Sequence, residues 1–139
     1  MSYRITEEVV FPYGHRLQGH PGGCGRLHGH NGRAVVVLEV DALDARGFVA
    51  DFDDLHAALE EVVGDTFDHR LLLQEGDPVV PHLAAAGEDY VLLPDPPTAE
   101  VIARELFSRL HARGLPIVEV QLWETPTACA VYRPTGPGA

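Results

Sequence analysis

The chain has 139 residues, enough for one domain with a core of its own. Its 45% apolar content argues against a disordered chain, and its longest apolar runs, such as residues 34–38, are far too short to cross a bilayer. All ten basic residues are arginine and the net charge is −11, which excludes lysine Schiff-base chemistry and speaks against a broad nucleic-acid or anionic-membrane surface.

In chain order, residues 3–11 read as a strand. Residues 12–26 carry Gly19, Pro21, Gly22, Gly23 and Gly25 and read as a loop. Residues 33–41 are β-branched and strand-like, and residues 44–47 form the following turn. Asp51 is placed to cap a helix whose apolar spacing is Phe52, Leu55, Leu59, Val62 and Val63, with Gly64 as its stop. The connection from 73 to 97 is long and holds Pro78, Pro81, Pro94, Pro96 and Pro97, with a short strand fitting residues 90–93. Thr98 caps a second helix, predicted over 98–113, with Ile102, Ala103, Leu106 and Leu110 as its stripe and Gly114 and Pro116 as its stop. Strands follow at 117–124 and 127–133, joined as a hairpin. The reading is a single domain over 1–133, in the order β-β-α-α-β-β, with a loose tail at 134–139.

Two serines, Ser2 and Ser108, sit in no nucleophile-elbow pattern. Two cysteines, Cys24 and Cys129, make no disulfide framework, which predicts a reducing, cytoplasmic compartment. Residues 1–8 contain no apolar core of a secretory leader, so none is expected.

The chemistry gathers around His28-Gly29-His30. Carried back along the strand at 33–41, the parity His28, His30, Gly32, Ala34, Val36, Leu38 puts both imidazoles on the apolar face. Buried imidazoles need partners, and either a metal or a set of hydrogen bonds at the strand end satisfies them. A third metal ligand comes first from His15 and second from His20. Cys24 lies in Pro21-Gly22-Gly23-Cys24-Gly25, where nothing is a packing position. It is a candidate thiolate base or nucleophile, a fourth ligand, or an inert loop thiol. Cys129 reads as a small core residue. Asp68-His69 is a candidate acid–base pair, with solvated charge after a helix as the alternative. Glu124 shares the parity of Val118, Val120 and Leu122 and is either a strand-end carboxylate or one that binds a ligand. Thr98, Glu100 and Asp51 have the ordinary reading of helix-start residues.

Taken together, Phe11-Pro12-Tyr13-Gly14-His15-Arg16-Leu17, Cys24-Gly25-Arg26-Leu27-His28-Gly29-His30, residues 47–52, Asp68-His69, Pro97-Thr98-Ala99-Glu100 and Glu124-Thr125 resemble the 6-pyruvoyltetrahydropterin synthase family. They occur in family order over nearly the whole chain. The spacing from Cys24 to His28 is similar to the bacterial branch that makes 6-carboxytetrahydropterin for queuosine and deazapurine synthesis. The resemblance implies an α+β tunnelling fold, a four-stranded antiparallel sheet with two helices on one face. It implies a homohexamer built as a dimer of trimers with active sites between subunits. It implies Zn²⁺ on His15, His28 and His30, acting as a Lewis acid on the substrate's hydroxyls. Cys24 would be the general base, and His69, oriented by Asp68 and reaching in from a neighbouring subunit, the partner acid. Glu124 would accept the pterin's N–H donors, with Thr98, Glu100 and Arg26 as further substrate contacts and Arg16 as a second triphosphate contact. The substrate would be 7,8-dihydroneopterin triphosphate. Two other readings stay open: a 6-pyruvoyl-type enzyme of another pterin pathway, and a non-catalytic zinc-dependent pterin-binding protein. The family carries a bulkier residue near position 32, where this chain has Gly32, and a shorter segment at 74–97.

Overall fold

Two 13-residue strands form the centre of the sheet: β1 (Tyr3–His15) and β2 (His28–Val40), paired antiparallel along their whole length. The computed structural model describes residues 1–136 and continues with α1 (Phe52–Thr66), β3 (Leu71–Gln74), α2 (Val80–Ala85), β4 (Tyr90–Leu93), α3 (Ala99–His111), β5 (Ile117–Thr125) and β6 (Ala128–Tyr132). Residues 137–139 of the predicted tail lie outside the described residues.

The sheet has six strands in the order β4-β3-β1-β2-β5-β6. The expected four-stranded antiparallel sheet is present as β1-β2-β5-β6, but it is not the whole sheet. Strands β3 and β4 extend the β1 edge in parallel pairing, and α2 is a third helix. The connection at 73–97 therefore holds the end of β3 and the helix α2 as well as the strand expected at 90–93, which is β4. Leu71-Leu72-Leu73 is an apolar run of three residues, too short to show an alternating period. Leu72, Leu73 and Leu93 are buried, as in parallel strands.

Val9, Phe11 and Tyr13 on β1, Ala34, Val36 and Leu38 on β2, and Val120 and Leu122 on β5 present one apolar face. Leu55, Leu59, Val62 and Val63 of α1 and Ile102, Ala103, Leu106 and Leu110 of α3 pack onto it. Both predicted N-caps are made. Asp51 accepts a hydrogen bond from the Asp53 amide at 2.8 Å, and Thr98 accepts one from the Val101 amide at 3.2 Å.

Four local expectations are corrected. The first helix runs through Gly64 to Thr66, because Val62, Val63 and Phe67 continue the buried stripe past it. Phe52 is 54% exposed, since the first helical residue projects off the sheet. Cys129 is exposed on β6 rather than in the core. A bulge at Val118, a residue expected on the apolar face, turns Ile117 into the core in place of Val118.

Strand β1 also runs four residues beyond its predicted end, through Pro12. The Pro12 carbonyl accepts from the His69 amide at 2.8 Å, on the side away from β2. The amide that proline lacks would point to that same side, so the β2 ladder loses nothing. This continuation carries His15 to the far end of the strand. Gly32 is explained here too. A Cβ at that position would lie 2.7 Å from Tyr13 Cε1, so the Tyr13 ring fills the space a larger residue would take.

Candidate metal centre and adjoining pockets

The β1–β2 register sets His15 opposite His28 and Tyr13 opposite His30. All three histidines face the apolar side, and one ring nitrogen from each lies within 4.8 Å of the others. His15 is 1% exposed, and burial lowers its pKa, which keeps the imidazole neutral. His15 Nδ1 lies 2.7 Å from the Pro97 carbonyl oxygen, and His28 Nδ1 lies 2.6 Å from the Arg26 carbonyl oxygen. A carbonyl oxygen can only accept, so both Nδ1 atoms carry the proton and both Nε2 atoms present lone pairs. This backbone support is what metal-binding histidines use to fix their tautomer. His15 Nε2 and His30 Nε2 are 3.2 Å apart, close to the roughly 3.3 Å between nitrogens sharing one tetrahedral ion. The donor set and its support fit a metal ion.

His20 is not part of this group. It is exposed, and its Nδ1 accepts from the Gly22 amide at 2.9 Å. Of the two third-ligand candidates, the structure brings in His15. Cys24 is also outside the group, half-buried in a 3₁₀ turn over Gly23–Gly25. The turn is tied down by the Leu17 amide donating to the Cys24 carbonyl at 2.7 Å. Gly25 permits this packing, since a Cβ there would lie 2.4 Å from the His20 carbonyl oxygen.

Glu124 sits at a bulge, between the pairs Trp123–Cys129 and Thr125–Ala128 of the β5–β6 hairpin. The extra residue aims its carboxylate at the cluster, and Oε1 lies 3.3 Å from His30 Nε2. Glu124 also lines a pocket of about 250 Å³ with Ala99, Glu100, Ala128, Cys129 and Ala130. Two predicted substrate contacts, Glu100 and Glu124, are thus brought together. Thr98 uses its hydroxyl as the α3 cap and stands beside Pro97, the acceptor for His15.

A larger cleft of about 640 Å³ is lined by His28, His30, Asn31, His69, Leu71 and Asp89, among others. His69 has φ +57°, an uncommon conformation for a non-glycine residue, held by the hydrogen bond its N–H donates to the Pro12 carbonyl. Its Nδ1 donates to Asp68 Oδ1 at 2.8 Å, so the predicted pair is formed, and His69 lines the same cleft as His28 and His30. Arg16, expected at the triphosphate, is instead held by both oxygens of the buried Asp77 carboxylate. Arg26 is exposed and contributes its carbonyl to His28. The carbonyls of Pro97 and Arg26 were invisible to sequence reasoning, because any residue carries a carbonyl.

Residues 4–135 match the family described as 6-pyruvoyl tetrahydropterin synthase. The chain belongs to that family. Among its relatives, the 6-carboxy-5,6,7,8-tetrahydropterin synthase of Haemophilus influenzae is 32% identical over 94% of this chain and 99% of its own. A probable 6-carboxy-5,6,7,8-tetrahydropterin synthase of Halobacterium salinarum is 41% identical over 84% of this chain and 77% of its own. An uncharacterized protein from Wolinella succinogenes superimposes with a TM-score of 0.77 at 27% identity, covering 96% of this chain and 98% of that one. The Caenorhabditis elegans 6-pyruvoyl tetrahydropterin synthase shares the fold, with a TM-score of 0.71 at 22% identity over 97% of each chain. Among the described residues, no helix is long and apolar enough to cross a membrane.

Proposed function

We propose that this protein is a zinc-dependent lyase, a 6-carboxy-5,6,7,8-tetrahydropterin synthase of the cytoplasm. It takes 7,8-dihydroneopterin triphosphate and water to 6-carboxy-5,6,7,8-tetrahydropterin, acetaldehyde and triphosphate. The observation that carries this reading is the His15–His28–His30 cluster with the Glu124 carboxylate against it, in a chain whose relatives bear that activity in their names.

His15, His28 and His30 would hold the zinc through their Nε2 atoms, oriented by the Pro97 and Arg26 carbonyls. When bound, the ion supplies Lewis-acid polarisation of the substrate's side-chain oxygens. Cys24, on its tethered turn, takes the proton from the substrate side chain as general base. His69 carries its Nδ1 proton toward Asp68, which leaves Nε2 facing the cleft to give or take a proton. Glu124 accepts the amino and ring N–H donors of the pterin, a two-point match for a carboxylate. Glu100, Thr98 and Arg26 complete the substrate contacts. The active unit is a homohexamer, and exposed Val10, Phe48 and Val131 are apolar surface for neighbouring subunits to cover.

Zinc-loaded protein incubated with 7,8-dihydroneopterin triphosphate tests the reading, with products identified by mass spectrometry. The expected products are the 6-carboxy pterin and acetaldehyde. A 6-pyruvoyl product would move the protein to the other branch, and tight pterin binding without turnover would make it a binding protein.

A further inference from the structure

Tyr13 is unusual among the core residues. It is 3% exposed, and its hydroxyl is buried with no hydrogen-bond partner among the described residues. Packing alone does not account for that oxygen, because phenylalanine would fill the same space without leaving a polar group unpaired. The ring stands beside the metal cluster, with centroids 5.3 Å from His15 and 5.7 Å from His30. It leans across β2 over Gly32, where the absence of a side chain admits it. Arg33 on β2 pairs with Trp123 on β5, so one step further along the two strands leads from Gly32 to Glu124. The ring therefore points from β1 across Gly32 toward the Glu124 side of the site. A phenol carries its proton at neutral pH, so this hydroxyl is a donor.

Glu124 needs such a donor once a metal is held. His30 Nε2 lies 3.2 Å from His15 Nε2 and 3.3 Å from Glu124 Oε1. A metal held by the cluster takes the lone pair at that nitrogen, so in the loaded site His30 Nε2 has no proton to give and the Glu124 carboxylate takes no hydrogen bond from it. Among the described residues, the buried hydroxyl without a partner is that of Tyr13, whose ring leans toward this side of the site.

We propose that Tyr13 is a positioning residue: in the metal-loaded site its hydroxyl donates to the Glu124 carboxylate and turns that carboxylate toward the ring edge of a bound pterin. The ligand named here rests on the function proposed above; the Tyr13–Glu124 bond does not.

Tyr13→Phe removes one oxygen and leaves the packing. Zinc-loaded Tyr13→Phe should bind 7,8-dihydroneopterin about tenfold more weakly than the native chain while keeping full zinc, the loss expected for one hydrogen bond to a charged group. In a Glu124→Ala background the same change should cost nothing more, because Tyr13 acts through Glu124. Native affinity in Tyr13→Phe, or an undiminished loss in the Glu124→Ala background, would overturn the proposal. Failure of the native chain itself to bind 7,8-dihydroneopterin would defeat the pterin reading instead. The bond is then read directly by NMR of protein labelled with ¹³C at tyrosine Cζ. The resonance that vanishes in Tyr13→Phe should shift on zinc loading, and Glu124→Ala should abolish the shift. A resonance indifferent to both changes would overturn the proposal.

Discussion

His15 gives its Nδ1 proton to the Pro97 carbonyl, 2.7 Å away across 82 residues of sequence. The last turn before α3 thereby fixes which nitrogen of a β1 histidine faces the cluster. His28 receives the same treatment locally from the Arg26 carbonyl at 2.6 Å. The histidine cluster is thus oriented by backbone groups on two different parts of the fold.

The first prediction is stoichiometric zinc that depends on every member of the cluster. His28→Ala and His30→Ala should each lose most of the metal, because two imidazoles hold zinc poorly. The fold should survive in both, since His28 and His30 are only half-buried. Metal analysis after gel filtration checks this, and full zinc in either variant would overturn the ligand assignment.

The second prediction concerns the contact between Tyr13 and Gly32. Gly32→Ala places a methyl group 2.7 Å from the Tyr13 ring and should destabilise the protein by roughly 1–3 kcal/mol, the usual penalty for overpacking. Combined with Tyr13→Ala, which empties that space, the same methyl should cost little or improve stability. Denaturant unfolding of the four proteins measures the coupling. Equal costs of Gly32→Ala in both backgrounds would reject the contact.

Much of the site was legible in the sequence, for reasons specific to its residues. His28, Gly29 and His30 belong to one strand, and the period of two fixes their face. The β1–β2 register that brings His15 to them was not legible, because Pro12 and Gly14 read as the end of the strand. The loss at β3 is of another kind. Three leucines in a row carry no period, and only pairing along the β1 edge makes Leu71–Gln74 a strand. Arg16 was misread for a third reason. A lone arginine assigned to a triphosphate by resemblance says nothing of Asp77, 61 residues further on, which takes it.

The third prediction follows from that ion pair. Asp77 is 2% exposed, and the hydrogen bond from Arg16 holds its carboxyl below the ordinary aspartate value, with the Val79 amide helping. A carboxyl depressed in the folded state contributes stability above its unfolded pKa, and that contribution is lost as pH falls through the folded value. Native stability should therefore decline from near pH 4 downward. Asp77→Asn should cost roughly 3 kcal/mol at neutral pH, since it strands the Arg16 charge, and the acid decline should be shallower in that variant. Thermal unfolding at a series of pH values checks both. An unchanged acid limb in Asp77→Asn would show that other carboxylates set the pH dependence.

The last prediction separates chemistry from binding at Cys24. The Gly23–Gly25 turn holds Cys24 outside the histidine group, so Cys24→Ala should leave zinc content and fold intact. If the thiolate is the general base, turnover should fall by about 10²–10⁴-fold, the usual contribution of a positioned acid–base group. Gly25→Ala provides an independent check that leaves the sulfur in place. Its methyl would lie 2.4 Å from the His20 carbonyl oxygen, so the turn must open and carry Cys24 out of position. Zinc should again be retained, because His15, His28 and His30 sit on β1 and β2 rather than on this turn. Turnover should fall in both variants while metal content stays at one ion per chain. Loss of zinc from Cys24→Ala would make the cysteine a ligand, and near-normal turnover would remove it from the chemistry altogether.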